Sequence, residues 1–178
     1  MPRHLYLPAA AVLIFAIAGC HGPAPHITVP PTPTSAPMFA SDEEALAAAE
    51  AAYGAYLAVS DAISSEGGAN PERLRDFVTD EELVQSSARF EEFELTGNRT
   101  QGASTFDTLL LQRYDDDGIT VYLCLDVTDV RVFDAGGVDI TPPDRSNRIP
   151  LEVSFGAQGN DLQLSGSQVW AEVSYCAD

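Results

Sequence analysis

The groups able to do acid–base or nucleophilic chemistry are unevenly placed along this chain. Its three histidines, His4, His21 and His26, all precede residue 41, and it contains no lysine. From residue 41 onward the titrating side chains are Asp, Glu, Tyr, Cys and Arg. That excludes Ser–His and Cys–His nucleophilic catalysis, His-ligated zinc and a lysine Schiff base in this part. What remains is proton transfer by one carboxylate base with tyrosine or protonated carboxyl donors, which does not need histidine. Asp107 or Asp126 would be the base, and Tyr53 and Tyr56 the donors. The plainer reading makes the tyrosines core aromatics and the aspartates solvated strand residues, and it is preferred, so no catalytic residue is assigned. The run Asp115–Asp116–Asp117–Gly118 lacks the alternating carboxylates and closing Glu of a calcium loop. No metal and no cofactor is expected.

Cys20 ends the stretch "AVLIFAIAGC". Arg3 and His4 precede an apolar run from Leu5 to Gly19, which has the length of a signal-peptide core and falls short of the roughly 20 residues of a membrane span. "IAGC" looks like the lipobox of bacterial lipoprotein precursors, where the cysteine sulfur receives diacylglycerol and cleavage precedes the cysteine. This implies a signal peptide over residues 1–19 and lipid on Cys20. It also implies a place at the extracytoplasmic face of the cell membrane. Each buried methylene contributes about 0.8 kcal/mol, so two or three acyl chains anchor stably where one does not.

Six of residues 21–40 are proline. Such a segment favours extended polyproline II and would reach roughly 60 Å at about 3.1 Å per residue. Residues 20–40 therefore read as a lipidated cysteine and a tether, and residues 41–178 as one domain. Cleavage removes Arg3, leaving 8 Arg against 27 acidic residues, a net charge of 8 − 27 = −19. That charge repels phosphate backbones and anionic headgroups, so nucleic acid is not expected as a partner.

Three helices should open the domain. Ser41 with Glu44 forms a capping box, and Leu46, Ala49, Tyr53, Tyr56, Ser60 and Ile63 share one helix face up to the Gly67–Gly68 stop. Asn70 and Pro71 begin a short second helix, and Thr79 with Glu82 repeats the capping box for a third ending at Gly97. Strands follow in "STFDTLLLQRY", "ITVYLCLDVT", "VRVFDAGGVDIT" and a last hairpin, "RIPLEVSFG" to "LQLSGSQVWAEVSYC". Helices followed by an antiparallel meander make an α+β domain, with the helices covering the apolar face of the sheet.

Alternation puts Ile119, Val121, Leu123, Leu125 and Val127 on one face, and Thr120, Tyr122, Cys124, Asp126 and Thr128 on the other. In the last strand Val169, Ala171, Val173 and Tyr175 oppose Gln168, Trp170, Glu172, Ser174 and Cys176. Cys124 and Cys176 thus share a facing on strands that could be neighbours, which makes a bridge sterically feasible. An exported domain with one such pair is expected to bridge it. No His, Lys or CxxC lies near to activate a thiol instead. Tyr122, Asp126, Trp170 and Glu172 would gather beside that bridge as a binding patch. The plainer reading, that the aromatics simply cover the disulfide, is preferred.

"AEAAYGAYLAVSDA", "LRDFVTDEEL", "CLDVTDVRVFD" and the cysteine after "SQVWAEVSY" together resemble actinobacterial surface lipoproteins with a nuclear-transport-factor-2-like domain, also called SnoaL-like or cystatin-like. The resemblance covers about residues 45–176. It implies a curved antiparallel sheet wrapped around a long helix as a cone, and no particular activity. The expectation is a membrane-anchored, non-catalytic lipoprotein that binds another envelope protein or a small ligand. The alternative is a ketosteroid-isomerase-like isomerase or dehydratase working through Asp107, Asp126, Tyr53 and Tyr56.

Overall fold

The computed structural model describes residues 38–159, 161–170 and 176. The expected signal peptide, Cys20 and the tether up to residue 37 lie outside the described residues, as do Ala171, Glu172, Val173, Ser174 and Tyr175. Among the described residues no helix is long and apolar enough to cross a membrane.

Helix α1 spans Asp42–Ser65. The Ser41 Oγ accepts the Glu44 N–H at 3.3 Å, as the capping pattern predicts, while the Glu44 carboxylate reaches one residue further back, to the Ala40 N–H at 2.8 Å. Its buried stripe is Ala45, Ala49, Tyr53, Leu57 and Ile63. The stripe runs in the expected direction, with Ala49, Tyr53 and Ile63 shared; Ala45 and Leu57 are buried in addition, while Leu46, Tyr56 and Ser60 lie half-buried at its edges. The helix stops where the Gly68 N–H bonds the Ile63 carbonyl at 2.9 Å. Gly68 has φ +87°, and a Cβ there would fall 2.2 Å from the Phe90 carbonyl oxygen. Glycine is required because the end of α1 meets backbone of the next helix.

The expected second helix is a 3-10 turn, Pro71–Asp76. Asn70 does not cap it through its side chain: it sits at φ 56°, and its carbonyl accepts from Arg73. Helix α2 spans Asp80–Thr96. Thr79 Oγ1 accepts the Glu82 N–H at 3.4 Å, but the Glu82 carboxylate does not close a capping box; it turns into the protein. Two α-helices and a 3-10 turn therefore replace the three expected helices.

The strands are β1 (Arg99–Gln101), β2 (Thr105–Asp115), β3 (Gly118–Asp126), β4 (Arg131–Phe133), β5 (Arg148–Gln158) and β6 (Asp161–Val169). The main sheet is antiparallel in the order β2-β3-β5-β6. The expected third strand shrinks to β4, which leaves the meander and pairs with β1, a strand the sequence pattern did not mark. Gly137 at φ +81° and the Asp134 side chain turn the chain back onto β4. Register shifts in β2, between Asp107 and Leu110 and between Leu111 and Arg113, and one at Ser154/Phe155, curve the sheet.

Ile119, Val121, Leu123, Leu151, Val153, Phe155 and Leu164 line the inner face and form one core with the α1 stripe. Tyr53 lies in that core, edge-on to Phe106 with ring centroids 4.9 Å apart. The structure is thus α+β, with helices on one face of a curved four-stranded antiparallel sheet.

Candidate functional site on the outer face of the sheet

The pairing register builds the outer face row by row. Leu110, Tyr122, Glu152 and Gln168 stand in one row across β2, β3, β5 and β6. Asp107, Cys124 and Pro150 stand in the next, with Trp170 continuing it through its N–H bond of 2.9 Å to the Pro150 carbonyl. Asp126 and Arg148 form a third pair. Leu110 reaches this face only because the bulge after Asp107 adds a residue to β2, with Thr108 held at φ 56°. It is left 48% exposed.

Tyr122 and Trp170 pack ring on ring, centroids 4.9 Å apart and planes tilted by 43°. Their expected partner Asp126 is on the same face, but its carboxylate is turned to Arg148: the Nη1–Oδ2 distance is 3.0 Å. The same guanidinium donates through Nη2 to both oxygens of Asp107, at 2.7 and 2.9 Å. Arg148 thus forks from β5 across β3 to β2 and ties three strands together. Beside the rings, Gln168 Nε2 donates to Glu152 Oε1 at 2.7 Å.

Cys124 and Cys176 are joined, with Cα atoms 5.5 Å apart. The route differs from the expected one. β5 lies between β3 and β6, so the last strand is not the neighbour of β3. Cys176 stands beyond the end of β6 at Val169, and the bridge carries the chain back to β3. Cys124 is fully buried beneath it.

The four groups considered for proton transfer do not form one site. Tyr53 packs against Phe106 on the inner side, whereas Asp107, the next residue along β2, points to the outer face. Arg148 and the Thr108 hydroxyl hold the Asp107 carboxyl below the usual range. The Thr128 side chain and N–H, then Arg148, do the same for Asp126. Carboxylates so held accept protons weakly. Burial pushes the Tyr53 phenol up, and Tyr56 moves the same way against the opposing pull of Arg89 and Ser60.

Sequence reasoning missed Arg148 and a second polar group, Glu82 with Ser86 and Arg89 on α2. The spacing 82, 86, 89 places these three on one helix stripe, which was legible. That Glu82 and Ser86 face inward while Arg89 stays exposed at the end of the stripe was not. Compared with family models, curated proteins and solved structures, the chain gives no match.

Proposed function

We propose that this chain is an exported, lipid-anchored binding module of the nuclear-transport-factor-2-like kind. Lipid on Cys20 would hold it at the extracytoplasmic face of the membrane, and the Pro-rich segment would carry the domain clear of it. It is non-catalytic, and it docks another envelope protein or a small ligand on the outer face of its sheet.

The observation that carries the docking reading is the Tyr122–Trp170 pair with exposed Leu110 in the same row as Tyr122. Large aromatics are the residue types that dominate docking energies, and here β3 and the residue after β6 hold them on either side of β5. Arg148 and the disulfide immobilise the strands beneath them. A rigid aromatic anchor loses little conformational entropy on binding.

The test is a photo-crosslinking amino acid placed at Leu110 in the native host, compared with one at Val84. Both positions are exposed, and Val84 lies on α2. Discrete adducts from position 110 and none from 84 support the reading. No adduct from position 110, or equal labelling from both, contradicts it.

A further inference from the structure

Glu82 is a buried carboxylate, 4% exposed, in a strongly acidic chain. Its Oε1 accepts twice, from the Ser86 hydroxyl at 2.8 Å and from Arg89 Nη2 at 2.6 Å. Among the described residues its Oε2 accepts no hydrogen bond. Oε2 is not sealed from solvent: among the described residues the only buried side-chain polar atom without a partner is Arg148 Nε, so a ligand group at Oε2 would take the place of water.

Glu82 lines a cavity of about 310 Å³ between α2 and the β6 edge. The rest of the wall is polar: Gln85, Glu152, Ser154, Ser167 and Gln168 contribute hydroxyl, amide and carboxylate groups. This edge of β6 is open only in part. The Val78–Thr79 segment covers its start by bonding Leu164, and the cavity begins after that, at Ser165.

The lining selects the ligand. Two carboxylates face one guanidinium, and that guanidinium is already bonded to Glu82. An anion meets net repulsion here. An apolar group would strip water from serines and glutamines without replacing their hydrogen bonds. Two carboxylates are also too few for a metal cage, and among the described residues no metal-holding cluster occurs. An ammonium group fits: it carries donors only and forms a charge-assisted bond to Oε2. Hydroxyls fit the remainder, since they donate and accept as the wall does.

We propose that the Glu82 cavity binds a small hydroxylated amine, of the class of amino sugars and amino polyols, with its ammonium on Glu82 Oε2. The site shares Glu152 and Gln168 with the outer-face row of Tyr122 but uses neither the Tyr122 nor the Trp170 ring, so loss of both rings should leave amine binding in place.

The test is saturation-transfer NMR and calorimetry on the full chain with glucosamine and serinol as probes. N-acetylglucosamine and glycerol serve as their uncharged counterparts. Saturable binding of the amines is expected, at least tenfold tighter than that of the counterparts. Glu82→Gln keeps the shape and removes the charge, and should weaken amine binding at least tenfold.

Gly166→Leu is the second variant. Gly166 lines the cavity, and a Cβ there meets nothing within 4 Å, so a bulky side chain can be added to this wall without a clash at its Cβ. It should abolish binding while leaving the thermal unfolding temperature in place. Failure of both amines to bind the unaltered chain overturns the proposal. So does equal binding of amines and neutral counterparts, or amine binding that survives Gly166→Leu.

Discussion

Tyr122 and Trp170 stack with centroids 4.9 Å apart although β5 runs between the strands that carry them. Pro150, in the strand between them, faces the same side as Cys124 and Trp170. A proline in an inner strand is unusual because it donates nothing to the ladder. Here the Pro150 carbonyl points toward β6, where it accepts from Trp170, so the missing N–H lies on that side too and leaves β3 undisturbed.

The two rings should be energetically coupled. Aromatic pairs contribute about 0.5–1.5 kcal/mol beyond the area they bury. A double-mutant cycle with Tyr122→Leu and Trp170→Leu, read by urea unfolding followed by circular dichroism, should return a coupling of that size. Strict additivity would mean that the rings do not rest on each other. Trp170 is the sole tryptophan, so Tyr122→Leu should also shift its emission.

The disulfide should contribute strongly to stability. It joins residues 52 apart in sequence, and closing such a loop removes unfolded-state entropy worth about 4 kcal/mol as an upper figure. The double variant Cys124→Ser, Cys176→Ser should lower the unfolding free energy by about 2–4 kcal/mol in denaturant titration. A loss below about 1 kcal/mol would show that the bridge constrains little.

Acid should loosen the outer face through Arg148. Both carboxyls it holds, Asp107 and Asp126, have folded-state pKa values below their ordinary ones. A depressed carboxyl contributes stability that is fully present above its unfolded pKa, near 3.9, and is lost as pH falls through the lower folded value. Stability should therefore be flat near neutrality with respect to this pair and fall below about pH 4. Arg148→Met should flatten the part of that acid limb that Asp107 supplies, Asp126 being held first by Thr128, and should lower neutral-pH stability, because it leaves two like charges on neighbouring strands. An unchanged acid limb in the variant would remove Arg148 as its cause. Asp139 behaves likewise: the Thr141 side chain and N–H, followed by Arg131, pull it down to about 2.

The meeting of α1 and α2 should tolerate no side chain at residue 68. Gly68→Ala adds a methyl 2.2 Å from the Phe90 carbonyl oxygen, at a φ of +87°. Backbone strain of this kind costs about 1–3 kcal/mol, and the clash adds to it. Gly166→Ala, with open space around its Cβ, should change stability far less when the two are compared by thermal unfolding.

What the sequence made legible was local. The Ser41 cap, the Gly68 stop, the β3 alternation and the cysteine pair each depend on residues a few positions apart or on a count of two. What it hid depends on register. Leu110 is thrown outward by a bulge at Thr108, a β-branched residue at positive φ that no propensity favours. Arg148 meets Asp107 only once β2, β3 and β5 are aligned, 41 residues apart in sequence. β4 leaves the main sheet although its residues alternate like a strand of it. Glu82 fits a capping box in sequence, yet the inward face of α2 claims its carboxylate for Ser86 and Arg89. The separation of Tyr53 from Asp107, a core ring on one side and an ion-paired carboxylate on the other, likewise required the packing itself.

The central claim is that the aromatic outer face is the docking surface of a membrane-held module. Native mass spectrometry of the full chain, extracted gently from the membranes of its own host, tests it most directly. The account predicts a lipid-bearing species in a discrete complex that dissolves in the Tyr122→Ala, Trp170→Ala variant while the variant stays folded. A bare, unlipidated chain, or a complex unaffected by loss of both rings, would contradict it.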